Sequence, residues 1–118
     1  MFNVWLGDDG IVRQIWAPQA EISLAQAKES VAAIVRLTHG EYIPLLVDMR
    51  RTKFVDREAR AYYASPASRI TKAVALLVSS PVSRVLANFF LGLHTPKVPI
   101  KMFTSETEAL KWLKRFVA

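Results

Sequence analysis

The chain contains no cysteine. That excludes a disulfide framework, a thiol nucleophile, a zinc ribbon and an iron–sulfur centre. Glycine is scarce and scattered, at positions 7, 10, 40 and 92, so no glycine-rich loop is available to cradle a phosphate. Histidine occurs only as His39 and His94, too few for a metal centre, which needs three or four ligands. Asp48, Ser79 and His94 can be drawn as a triad, but no G-x-S-x-G elbow surrounds the serine. The longest apolar runs, AVALLV and the stretch ending FFLGL, fall far short of the ~20 residues of a membrane span. The start, MFNVWLGDDG, lacks the basic opening of a secretory leader. These absences lead to the expectation of a cytoplasmic protein that is not an enzyme and holds neither metal nor cofactor.

What is present is core material. Hydrophobic residues make up 52% of the 118 residues and charged residues 22%, enough to bury a core, and the expectation is a single domain spanning residues 1–118. The net charge of +6 is unevenly placed. Residues 1–49 carry three Lys/Arg against six Asp/Glu, a balance of −3, whereas residues 50–118 carry thirteen against four, a balance of +9. The change falls at Arg50 and Arg51, with Lys53, Arg57 and Arg60 close behind. Such asymmetry suits an acidic protein, a phosphate group or nucleic acid, although a solvated helix face with connecting loops gives the same pattern. Tyr62 and Tyr63 beside Arg57 and Arg60 are compatible with base stacking, but no RNA-binding motif accompanies them, which argues against nucleic acid.

Period-two alternation over Phe2–Leu6, the turn Asp8-Asp9-Gly10 and a second run from Ile11 to Trp16 predict an antiparallel hairpin. Ser23, with Gln26 three residues on, has the form of a capping box. Leu24, Ala27, Val31, Ile34 and Val35 then recur at helical spacing, and Gly40 supplies a stop. A nearly all-apolar strand over 43–49 follows, with Pro44 tolerable only at its start. Asp56 is placed to cap a helix bearing Ala59, Tyr62 and Tyr63 on one side, ended by Ser65-Pro66. The run Ala73–Val78 fits a strand covered on both faces. Ser80-Pro81 opens the clearest helical stripe, Val82, Val85, Leu86, Phe89, Phe90 and Leu93. A short strand over 100–103 and a helix capped by Ser105 with Glu108 complete the chain. The order β-β-α-β-α-β-α-β-α predicts an α/β fold: a mixed, mostly parallel five-stranded sheet with an N-terminal antiparallel hairpin and right-handed crossovers.

This order, together with the segment LLVDMRRTKFVD, resembles the STAS family of anti-sigma-factor antagonists and the related SpoIIAA-like proteins. Their pattern ends the corresponding strand in Asp and runs about eight residues to an Asp-Ser pair at the helix start. Asp48 and Asp56 match the two acidic positions, and Arg57 stands where the phosphoacceptor serine would be. The resemblance implies a SpoIIAA-like fold and a regulatory or protein-binding module. Arginine accepts no phosphoryl group, so the usual serine switch is expected to be missing. The resemblance extends in element order to Sec14-like, lipid-associated domains.

In a parallel sheet, ligands favour the rim beyond the strands' carboxyl ends, where helix N-termini also point. That rim is expected to gather Asp48, Arg50, Arg51, Thr52 and Lys53 with Asp56 and Arg57, joined by Ser79, Ser80, Arg84 and Ser105, as an anion or ligand site. The alternative at Asp56, Ser80 and Ser105 is capping of their own helices. The helix 81–93 is apolar well beyond one stripe, which makes Val85, Phe89, Phe90, Leu91 and Leu93 candidates for a homodimer or partner contact; a packed core helix is the alternative. The leading expectation is thus a non-catalytic protein-binding module. The runner-up is a carrier or sensor of an anionic or lipid-like small molecule, held at the basic edge or under that helix.

Overall fold

The computed structural model describes residues 1–65, 68, 70–79, 85 and 98–117. The helix expected over 81–93 falls almost wholly outside the described residues, and with it Ser80, Arg84, Phe89, Phe90, Leu91 and Leu93. Val85, which is described, is exposed.

The chain opens with β1 (Phe2–Leu6) and β2 (Val12–Trp16), paired antiparallel with Phe2 opposite Trp16 and Leu6 opposite Val12. The turn between them is held by chemistry local to the sequence. Gly10 sits at φ +80°, a region that side chains with a Cβ rarely adopt. The Asp9 carboxylate accepts from the Ile11 N–H at 3.2 Å and from both terminal nitrogens of Arg13, at 2.6 and 2.8 Å. That hydrogen-bonded ion pair holds the Asp9 carboxyl below the usual carboxylate range.

Three further strands, β4 (Leu45–Asp48), β6 (Val74–Leu77) and β7 (Ile100–Phe103), join the sheet in the order β1-β2-β4-β6-β7. All pairings after the hairpin are parallel. The expected α/β sheet is what forms. Its register puts Asp48 beside Leu77 and Leu77 beside Phe103. The tails of β4, β6 and β7 therefore share one rim.

Alternation along these strands divides the core. One face packs α1 (Leu24–Thr38) and α2 (Arg57–Ala64) against Trp16, Met49, Leu76 and Val78, continuing through Val12 and Leu45 to Ile34. The opposite face packs α3 (Glu106–Leu113) through Ala109 and Leu113 on Ile11, Leu46, Ala75 and Leu77. Trp112, Phe116 and Val117 extend this second layer. The last helix is shorter than its stripe suggests, passing into a 3-10 turn over Lys114–Phe116. On α1 the expected stripe is corrected in one position. Val35 is exposed, while Ser30 and Thr38 lie on the buried side. The α1 stop is broader than the sequence indicates, because His39 (φ 55°) and Gly40 (φ 80°) both turn left-handed, and both donate to the Val35 carbonyl.

Two-residue strands β3 (Glu21–Ile22) and β5 (Phe54–Val55) pair parallel as a second, separate sheet. A pair this short has no detectable hydrophobic period, so only the three-dimensional path of the two loops reveals it.

Candidate functional site

The rim grows out of the end of β4. Parity places the buried Asp48 on the α3 side of the sheet, beyond Leu46. Its Oδ1 accepts from the Arg50 N–H at 3.1 Å and from Arg50 Nε at 3.0 Å, and its Oδ2 accepts from Arg50 Nη2 at 2.7 Å. This closed loop of hydrogen bonds turns the chain out of the sheet. It also raises the Arg50 pKa, to which Glu106 at the start of α3 adds a smaller electrostatic effect. Arg50 is thus committed first to Asp48. Its carbonyl accepts from the Ser79 hydroxyl at 3.4 Å, which links the ends of β4 and β6.

The next stretch is zipped to the loop after β2. The Gln19 N–H donates to the Arg51 carbonyl at 2.9 Å, the Lys53 N–H to the Ala20 carbonyl at 2.9 Å, and the Asp56 N–H to the Ile22 carbonyl at 3.0 Å. Gln19 adopts φ 63° to make this approach. Thr52 is buried within the turn, its N–H donating to the Met49 carbonyl, and its hydroxyl meets no partner among the described residues. The side chains this segment presents outward are Arg51, Lys53, Phe54 and Arg57, all exposed. Phe54, 46% exposed, lies in the same stretch of chain as these three cations. The helix starts are occupied by their own caps: Asp56 accepts from the Ala59 N–H at 2.8 Å, and Ser105 from the Glu108 N–H at 3.3 Å. The described rim residues expected from the sequence differ in occupation; Ser80 and Arg84 lie outside the described residues. Asp48, Arg50, Asp56 and Ser105 are engaged internally, while Arg51, Lys53 and Arg57 form an outward basic surface.

The other face of the sheet holds a feature the sequence reading missed. Between α1, α2 and the strands lies an apolar cavity of about 130 Å³, lined by residues that include Gln14, Val31, Val47, Tyr63, Ile70 and Leu76. The available signal was parity: Gln14 alternates in phase with Val12 and Trp16, so a polar side chain was due to face the core. At the cavity wall the Tyr63 hydroxyl meets Ser30 Oγ at 2.7 Å, and Ser30 donates to the Ala27 carbonyl at 2.7 Å. Burial pushes the Tyr63 phenol up to about 12, against the smaller opposing effect of the Ser30 hydrogen bond. Among the described residues no group of three or more His, Asp or Glu side chains is placed to hold a metal ion, and no helix is long and apolar enough to cross a membrane.

Comparison with known proteins agrees with this architecture. A family model described as a domain of unknown function, DUF7793, matches residues 4–117. A solved structure of an uncharacterised DUF3478-family protein with a SpoIIAA-like fold, from Shewanella loihica PV-4, superposes with a TM-score of 0.64 at 14% identity, covering 96% of this chain and 92% of its own. At that identity the likeness shows the fold alone, which is SpoIIAA-like. A protein of unknown function from Arthrobacter sp. FB24 is 45% identical, covering 94% of this chain and 97% of its own, with a TM-score of 0.38. No curated protein matches the sequence.

Proposed function

The chain belongs to the DUF7793 family and carries a SpoIIAA-like fold, and from that premise we propose that it is a non-catalytic binding module whose basic rim docks on an acidic face of a partner protein. The observation that supports this is the segment from Arg50 to Arg57. It is anchored by Asp48 at one end and zipped to residues 19–22 along its length, so the backbone that carries its outward side chains is held in place before any partner arrives. Preorganisation of this kind reduces the ordering cost of association. Phe54 supplies an exposed aromatic anchor, and Arg51, Lys53 and Arg57 supply charge complementary to carboxylates. Binding is constitutive in this reading, because Arg57 opens α2 with a fixed positive charge at the position matching the phosphoacceptor.

Affinity capture with the wild-type chain, followed by titration of the purified captured protein, tests the proposal. Replacing Arg51→Glu together with Arg57→Glu should weaken that partner's binding by about tenfold or more, and raising salt should weaken the wild type in the same direction. A partner that binds both proteins equally, with no dependence on salt, overturns the reading.

A further inference from the structure

We propose that the cavity beneath α1 and α2 is a binding site for a small, neutral, mostly apolar molecule carrying one carbonyl-type hydrogen-bond acceptor, which Gln14 receives. The inference is independent of the rim, which lies beyond the strand ends.

Two observations meet here. The first is the cavity: at about 130 Å³ it is close to the ~150 Å³ that holds a benzene ring when the lining is apolar, so about six to ten non-hydrogen atoms fit. Its walls are side chains such as Val31, Val47, Ile70 and Leu76, and among the described residues no charged group lines it. An ionised ligand would have to leave water with no counter-charge from any described lining residue, which favours a neutral species. The second is Gln14 itself. It projects from the middle of β2 into this wall, is only 4% exposed, and its amide nitrogen is buried without a hydrogen-bond partner among the described residues. Buried donors are almost always satisfied, so one facing an apolar void marks the place for an acceptor that comes from outside the chain.

The other polar side chains on the wall among the described residues are already engaged. The Thr71 hydroxyl donates to the Ala73 carbonyl at 3.0 Å, and the Ser30 hydroxyl is shared between Ala27 and Tyr63. One donor in an apolar chamber recognises one acceptor on an apolar body. A ketone or ester on a short chain or a single ring has that form. A fatty acid or a phosphate does not. The small-molecule alternative drawn from the sequence placed an anionic or lipid-like ligand at the basic edge or under the helix 81–93; this site is built instead on Gln14, and no charged side chain of a described residue lines it.

The test compares two probes of equal size, cyclohexanone and methylenecyclohexane, which differ in having C=O or C=CH2. Each is titrated into the full chain while the side-chain amide resonances of Gln14 are followed by NMR. Cyclohexanone should bind about tenfold more tightly and shift the Gln14 amide protons, because only it satisfies the donor. In Gln14→Leu and in the less bulky-branched Gln14→Met the preference should vanish, with the hydrocarbon binding at least as well as before. Failure of both probes to bind the wild type overturns the proposal, as does equal binding of the two. A ketone preference that survives in a folded Gln14 variant overturns it also.

Discussion

At the scale of single residues, the groups that matter most here are polar ones placed where neighbours decide their chemistry. Tyr63 is the clearest instance. Burial favours its neutral form and raises its pKa from 10.0 to about 12. A phenol whose folded pKa lies above its unfolded value contributes stability that is fully present below pH 10. That contribution is lost as pH rises through 12, and amounts at most to about 2–3 kcal/mol. Tyr63→Phe should therefore flatten the decline in stability between pH 10 and 12 relative to wild type, as read by urea denaturation at each pH. An unchanged decline means that Tyr63 does not carry it. Asp9 shows the opposite sign. Arg13 depresses its pKa, so the stability it contributes is present above the ordinary carboxylate range and disappears as pH falls through the depressed value. Neither property is readable from residue type alone, because both depend on which side chain lies within hydrogen-bonding reach.

Elements show a closer agreement between local sequence and structure. Every cap assigned from the sequence and lying within the described residues is formed, with Ser23, Asp56 and Ser105 each accepting from the N–H three residues on. The bonds differ in length: 2.8 Å at Asp56 and 3.3 Å at Ser23 and Ser105. Asp56 caps a helix of 8 residues, too short to be stable by propensity alone. Asp56→Ala should cost about 1 kcal/mol, and Ser23→Ala less, in denaturant midpoints. The reverse ranking would mean that α2 is held by Ala59 and the two tyrosines alone. The capping box at Ser23 is only half present. Gln26 donates its N–H to Ser23, but its side-chain oxygen is buried without a partner. Val35 departs from the expected stripe for a related reason. A helix buries the side that meets the sheet, and here Ser30 and Thr38 turn inward while Val35 points to water.

For the whole molecule, the order β1-β2-β4-β6-β7 sets where stability resides. Strands β4 and β6 have a hydrogen-bonded neighbour on both sides, and their side chains feed both core layers, with Leu46 and Leu77 facing α3 and Leu45 and Leu76 facing the opposite layer. Amide hydrogen exchange should be slowest for Leu46 and Leu77 and governed there by global unfolding, with β1 exchanging through local fraying. Equal protection across the sheet would contradict this. The same topology gathers the rim: four parallel strands end together, and β3 with β5 fastens the loops that follow the first two.

Patterns with a short repeat determined much of this protein. Periods of two and of about 3.6 residues, a turn glycine and three caps identify the strands and helices, and parallel pairing follows from the crossovers that connect them. The basic segment after Asp48 was visible in the charge distribution, and so was its closeness to Asp56. Tertiary structure alone decided that Arg50 folds back on Asp48, because that clamp depends on how the chain turns as it leaves β4. It alone decided that two loops pair as β3 and β5. It decided, too, that Gln14 faces a cavity and meets no partner among the described residues, since a void is the space left between α1, α2 and the sheet, and no single segment encodes that space.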